Sequence, residues 1–134
     1  MESFVPSQEE LISFGRWFGE GLSGNEVIAL KGPLGAGKTT FVKGLAKAIG
    51  VNEIVVSPTF VLLREYMSGT YPLYHFDWYR VEKREDVIGI GYWDYLELEG
   101  VKIIEWPDKF ADLVPDDAKW IRIDITHGGR KLIW

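Results

Sequence analysis

Gly32-Pro33-Leu34-Gly35-Ala36-Gly37-Lys38-Thr39 matches the pattern G-x-x-x-x-G-K-[ST] at every fixed position. The glycines let the backbone curl until successive N–H groups face one concavity, and a helix starting there adds the positive end of its dipole. Such a loop holds phosphate. Lys38 is expected at the β- and γ-phosphates as a mobile point charge, Thr39 on Mg²⁺ through its hydroxyl, and Thr40 at the α-phosphate. The backbone of Gly35, Ala36 and Gly37 would form the cradle.

Two acids stand further along. Glu105 closes the apolar run Val101-Lys102-Ile103-Ile104, as a Walker B strand delivers its carboxylate beside the metal, so Glu105 is read as the partner of Thr39. Asp77 lies in the dense group His75-Phe76-Asp77-Trp78-Tyr79-Arg80. It could hold Mg²⁺, directly or through water, or orient an attacking water, with Arg80 supplying transition-state charge. The alternative is that Asp77 and Arg80 pair with each other or with surface charges. His75 reads as a hydrogen-bonded structural histidine, because phosphoryl transfer asks little proton chemistry of the protein. Ser57-Pro58-Thr59 is a rigid turn with two hydroxyls, either a switch segment meeting the γ-phosphate or Mg²⁺, or a plain turn between strands. Trp106 shields the site from water or simply packs.

The elements that must position these residues follow from periodicity. Ser7-Gln8-Glu9-Glu10 is a capping box, and Leu11, Phe14, Gly15, Phe18 and Leu22 recur at helical spacing. That apolar stripe is core packing, although the segment could also form part of a base pocket. Val27–Leu30 is a buried strand feeding the phosphate loop. The helix after the loop turns Phe41, Val42, Leu45, Ala46 and Ile49 inward and stops at Gly50. Glu53–Val56 is a short strand candidate. Phe60–Tyr66 and Tyr71–Tyr79 read as an antiparallel hairpin around Met67–Thr70, and Val81–Glu99 as helical turns broken at Gly89 and Gly91. Its aromatics, Tyr92, Trp93 and Tyr95, are assigned to core packing over a partner surface. Lys119–Thr126 and Arg130–Trp134 form a closing hairpin.

With 134 residues, 46% of them hydrophobic, the chain is expected to be one domain over residues 1–134 with a normal core. It has no cysteine, which excludes disulfides and thiolate metal sites, and no apolar run of membrane-spanning length; a cytoplasmic protein is expected. A net charge of −5 opposes nucleic acid at long range, which counts against a stand-alone RNA binder and leaves no strong direct RNA contact expected.

Four blocks in this order, Leu34–Phe41, Ser57–Phe60, Tyr74–Asp77 with Tyr79-Arg80, and Ile104–Pro107, make the chain resemble the TsaE (YjeE) family along nearly its whole length. Members are small ATPases of bacterial tRNA threonylcarbamoyladenosine biosynthesis. The resemblance implies a P-loop NTPase fold, a three-layer α/β sandwich whose central, mostly parallel sheet is extended by antiparallel strands. It also implies ATP/ADP and Mg²⁺ as cofactors and the TsaB–TsaD pair as partner. Lys38, Thr39 and Thr40 would contact phosphates and metal, Thr39 and Glu105 would serve Mg²⁺, and Asp77 would matter for turnover. Ser57 and Thr59 would belong to a switch-like segment, and Trp106 to a functionally sensitive block. Pro33 replaces a usually acidic residue and Trp78 a usual leucine; neither is a phosphate or metal ligand.

Two other classes use the same loop. A small-molecule kinase would need an acceptor pocket and usually a basic lid, for which only Arg80, Lys83 and Arg84 offer a poor match. A binding module would hold nucleotide without turnover. A GTPase is disfavoured, since neither Asn25 nor Asn52 lies in an N-K-x-D sequence, and the D-x-x-G match at Asp86–Gly89 follows charged residues instead of an apolar strand.

Overall fold

The computed structural model describes residues 1–134. In chain order the elements are β1 (Glu2–Val5), α1 (Gln8–Glu20), β2 (Val27–Lys31), α2 (Lys38–Ala48), β3 (Leu63–Tyr66), β4 (Leu73–Asp77), α3 (Arg84–Gly89), α4 (Tyr92–Glu97), β5 (Val101–Glu105), a 3₁₀ segment (Pro107–Leu113), β6 (Lys119–Thr126) and β7 (Gly129–Ile133). The strands form one seven-stranded sheet in the order β1-β7-β6-β2-β5-β4-β3. β6, β2, β5 and β4 run parallel, and antiparallel pairings add β3 at one edge and β7 with β1 at the other. This is the mostly parallel sheet with antiparallel extensions that the family resemblance implies.

Strand alternation divides the core in two. Ile28 and Leu30 of β2, Val101 and Ile103 of β5, and Ile121 and Ile123 of β6 share one cluster with Phe41, Val42 and Leu45 of α2. Ala29, Ile104, Tyr74 and Phe76 turn to the opposite face and pack with Val87 of α3, Tyr92 of α4 and Leu113. The period of two therefore commits every odd-numbered residue of β4 and β5 to the α2 side. In the parallel register Leu73 lies beside Val101, His75 beside Ile103, and Asp77 beside Glu105. Both acids come to the carboxyl ends of adjacent strands, facing the helix that the phosphate loop opens.

Ser7 caps α1 as expected, its hydroxyl accepting from the Glu10 N–H at 3.2 Å, but the return bond from the Ser7 N–H to the Glu10 carboxylate does not form, so half of the capping box is present. α1 lies along α2, and glycines set how closely the two approach. A Cβ on Gly44 would collide with the Ile12 carbonyl oxygen, and one on Gly15 with that of Phe41.

Three details differ from expectation. Glu53–Val56 is not a strand: these residues join no ladder, the Val56 N–H goes to the Tyr66 hydroxyl at 3.1 Å instead of a strand carbonyl, and Ile54 is 84% exposed. The first hairpin is shorter than predicted, since its arms reach only Leu63–Tyr66 and Leu73–Asp77. Pro72 has no N–H to give a ladder, and Leu62 turns the chain with φ 68°. β1 is the third, a strand whose four residues carry too short an alternation to announce it; it pairs with β7, which places Val5 opposite Arg130. In the α3–α4 region Tyr92 is buried and Trp93 exposed, so the packing assignment holds for the first and not the second.

Gly44→Ala is expected to destabilise the fold by about 1–3 kcal/mol, because the collision is with backbone and the two helices must separate. Gly89 has open space around its Cβ position. Gly89→Ala, as the control, should be neutral or stabilising by about 0.5 kcal/mol. Urea denaturation midpoints of the two variants check this.

Candidate phosphate and metal site

The loop between β2 and α2 has the curl that its glycines predict, with φ 78° at Gly35 and φ 103° at Gly37. Gly37 is the N-cap of α2, and no side chain caps the helix, so its first N–H groups are left for an anion. Lys38 lies back along the loop. Its Nζ donates to the carbonyls of Gly32 at 2.6 Å and Pro33 at 3.0 Å, and sits 4.3 Å from the centroid of the Trp106 ring. Burial pushes the Lys38 pKa down, and the carboxylates of Glu105, Asp77 and Asp108 oppose that fall.

Thr39 and Glu105 meet as predicted, the Thr39 hydroxyl donating to Glu105 Oε2 at 3.3 Å. No cluster of three or more His, Cys, Asp or Glu side chains forms a metal cage. The hydroxyl–carboxylate pair supplies hard oxygens and suits Mg²⁺, which keeps much of its octahedron for phosphate and water. The same Oε2 lies 2.5 Å from Nε2 of His75, which is fully buried.

Asp77 is nearly buried and is held at both oxygens. The Tyr79 N–H donates to Oδ1 at 2.8 Å and the Thr59 hydroxyl to Oδ2 at 2.9 Å. Since Thr59 spends its one hydroxyl proton on Asp77, the 2.7 Å contact between Thr59 Oγ1 and Ser57 Oγ has Ser57 as donor. Ser57 and Thr59 thus form a hydrogen-bonded chain to Asp77. Burial raises the Asp77 pKa; the Tyr79 N–H opposes this, and the neighbouring Glu105 charge adds to it. Arg80 does not pair with Asp77. Its guanidinium stacks over the Phe60 ring at 4.3 Å from the centroid.

Lys38, Thr39, Thr40, Ser57, Thr59, Asp77, Arg80, Glu105 and Trp106 all line one cleft of about 750 Å³ with Gly35, Ala36 and Gly37. Trp106 is held at φ 60° and ψ 45°, an uncommon conformation for so large a residue. That backbone puts its ring against Lys38 and 4.9 Å from the ring of Tyr79, forming a wall of the cleft. A second cleft of about 290 Å³ adjoins the loop on the Thr40 side, between Pro6-Ser7-Gln8 and Gly129-Arg130. Here sequence reasoning missed Arg130. Its Nε donates to the Ala36 carbonyl at 3.0 Å and its Nη2 to the Gly35 carbonyl at 3.1 Å. No local pattern marks a residue that reaches the loop from 94 positions away. Tyr79 was legible only as part of a motif block, without its place against Trp106.

A phosphate loop at the head of a central parallel strand, with an acid at the end of the neighbouring strand, defines a P-loop α/β protein. Comparison with known proteins narrows this. The family profile described as Threonylcarbamoyl adenosine biosynthesis protein TsaE matches residues 5–132. The tRNA threonylcarbamoyladenosine biosynthesis protein TsaE of Nostoc sp. is 40% identical over 129 residues, covering 93% of this chain and 77% of the relative. That of Treponema pallidum is 38% identical over 127 residues, covering 95% and 93%. The crystal structure of Bacillus subtilis YdiB superposes with a TM-score of 0.81 at 30% identity, covering 98% of this chain and 82% of that one. The chain belongs to the TsaE family, and with it to tRNA threonylcarbamoyladenosine biosynthesis. No helix is long and apolar enough to cross a membrane.

The raised pKa of Asp77 has a stability consequence. A carboxyl whose folded pKa lies above its unfolded value favours the folded state below the unfolded pKa, and that advantage is lost as pH rises through the folded pKa. Ionised Asp77 therefore costs stability at neutral pH. Asp77→Asn is expected to leave the melting temperature equal or higher at pH 7 and to narrow its gap from wild type near pH 4, checked by thermal unfolding at both pH values.

Proposed function

We propose that this chain binds and hydrolyses ATP with Mg²⁺, and that its turnover supports a TsaB–TsaD pair in threonylcarbamoylating the adenosine beside the tRNA anticodon. The observation that carries this reading is the convergence of Lys38, Thr39, Asp77 and Glu105 on one cleft at the mouth of α2. The triphosphate lies along the loop, with the Gly35–Thr39 backbone and the start of α2 donating to its oxygens and Thr40 beside the α-phosphate. Lys38 leaves the Gly32 and Pro33 carbonyls or bridges them to the β- and γ-phosphates. The base and ribose take the smaller cleft between Pro6–Gln8 and Arg130.

Thr39 and Glu105 would hold Mg²⁺, which would supply positive charge to the phosphates when bound. Asp77 is the residue for the attacking water. Its Oδ2 accepts from Thr59 in the present arrangement, and withdrawal of Thr59 exchanges that donor for water. Arg80, free of any carboxylate, is available to the γ-phosphate side of the cleft. Trp106 walls off Lys38 from solvent, which strengthens its interaction with phosphate. Cytoplasmic location accords with the substrate, and the acidic chain leaves tRNA contact to its partners.

ATP hydrolysis by the purified chain, alone and with TsaB and TsaD, is the direct test, with Lys38→Ala as the control. Phosphate release that rises with the pair and disappears in the control is expected. ADP formation only with a small-molecule acceptor would make the chain a kinase, and nucleotide-dependent capture of the pair without turnover a binding module. The two acids should separate. Asp77→Ala lowers kcat by about 100-fold or more with little change in nucleotide affinity, whereas Glu105→Ala raises the Mg²⁺ needed for nucleotide binding. Equal effects on binding alone would defeat this division, as read by steady-state kinetics beside fluorescent-nucleotide titrations.

A further inference from the structure

His75 occupies a position that the fold would fill with an apolar residue. It follows Leu73 in the inward row of β4, opposite Ile103, and both neighbours belong to the core beneath α2. Its ring has no exposed surface, and Nδ1 is buried without a hydrogen-bond partner. A buried polar ring left half unsatisfied costs stability that leucine at the same place would not. Its single hydrogen bond, Nε2 to Glu105 Oε2, is therefore what distinguishes histidine from a packing residue here.

That bond bears on one oxygen of the carboxylate. Oε2 takes both the Thr39 hydroxyl and the His75 ring, while Oε1 has neither as a partner. Two donors from different elements, α2 and β4, fix the torsion of a side chain that would otherwise rotate freely, and an ionised carboxylate requires the hydrogen on Nε2. We propose that His75 is a positioning residue for the metal site: it holds the Glu105 carboxylate in one orientation, with Oε2 anchored to protein and Oε1 left for the cation. This rests on the reading of Glu105 as a Mg²⁺ residue. Supporting groups of this kind set metal affinity without touching the metal.

The test uses the full chain with a fluorescent ADP analogue, titrated in EDTA and then against Mg²⁺. His75→Leu removes the donor and keeps the packing, His75→Asn is too short to reach Glu105, and His75→Gln restores a donor near the Nε2 position. His75→Leu and His75→Asn are expected to raise the Mg²⁺ concentration for half-maximal enhancement of binding by about 10-fold or more. Their EDTA affinities should stay within about twofold of wild type, and His75→Gln should recover most of the shift. A folded Leu or Asn variant with an unchanged Mg²⁺ requirement overturns the proposal. So does a loss of EDTA affinity as large as the loss with Mg²⁺, which marks general damage to the loop. Glu105→Ala is run in parallel. If it shifts the Mg²⁺ requirement and the histidine variants do not, only the role of His75 falls; if neither shifts it, the metal assignment of Glu105 falls as well.

Discussion

Two carboxylates stand side by side at the ends of adjacent parallel strands, and much of the site is arranged around tolerating them. Register places Asp77 beside Glu105, and alternation turns both toward α2. Each is nearly buried. Like charges at that separation in a low-dielectric setting repel, which is part of why the Asp77 carboxyl is harder to ionise than usual. The surrounding groups answer this repulsion. Lys38 supplies a full positive charge, Thr39 and His75 donate to Glu105, and Thr59 and the Tyr79 N–H donate to Asp77. In the proposed function a divalent cation held by Thr39 and Glu105 would add to this neutralisation, so affinity for the metal would draw on the same repulsion.

The same arrangement explains why the site sits at a cost to the fold. A core row reading Leu73, His75, Asp77 next to Val101, Ile103, Glu105 begins apolar and becomes polar as it approaches the mouth of α2. Leucines throughout would pack without buried unpaired atoms, whereas this row leaves His75 Nδ1 unsatisfied and one acid reluctant to ionise. Trp106 adds a left-handed backbone to the same region. The apolar contacts of β2 and α2 elsewhere, with Ile28, Leu30, Phe41 and Leu45 fully buried, supply the stability that lets the mouth be strained.

What was legible in the sequence was what local chemistry dictates. The glycine positions of the loop, the apolar run into Glu105 and the N-cap at Ser7 each determine a geometry within a few residues, and each is present. The convergence of Asp77 with Glu105 was inferable only as motif knowledge, because the register between β4 and β5 is a tertiary fact. Arg130 illustrates the limit: an arginine after two glycines carries no mark of its destination, and it is the placing of the β6–β7 hairpin beside β2, a tertiary fact, that brings it to the loop carbonyls. His75 was assigned correctly as hydrogen-bonded and structural, but its partner could not be read, since a period of two gives the face a side chain takes and not the neighbour it meets there. Glu53–Val56 failed for the complementary reason. Its β-branched residues suit a strand, yet a strand exists only where its backbone pairs, and here the Val56 N–H is taken by the Tyr66 hydroxyl while Ile54 stays exposed.

The two walls of the cleft are held very differently, and this bears on how a partner could control it. The loop wall is tied at both faces: Lys38 to Gly32 and Pro33 from within, Arg130 to Gly35 and Ala36 from behind. A peptide unit is planar, so fixing the Ala36 carbonyl outward also aims the Gly37 N–H away from Arg130, toward the cradle. The opposite wall, the irregular stretch through Ser57–Leu62, has no ladder. It hangs on the Val56 N–H to the Tyr66 hydroxyl at 3.1 Å, the Asp77 N–H to the Leu62 carbonyl at 3.0 Å, and the Thr59–Asp77 bond. Its Phe60 is 81% exposed, with the Arg80 guanidinium against its ring. Segments with few buried contacts and few backbone bonds lie at the low-stability end of a fold. A surface pressing on Phe60 would move Thr59 before it moved the phosphate loop, and Thr59 is the residue that occupies Asp77. In the proposed function, nucleotide binding and readiness for turnover would thus be set on separate walls, as a partner-gated ATPase requires.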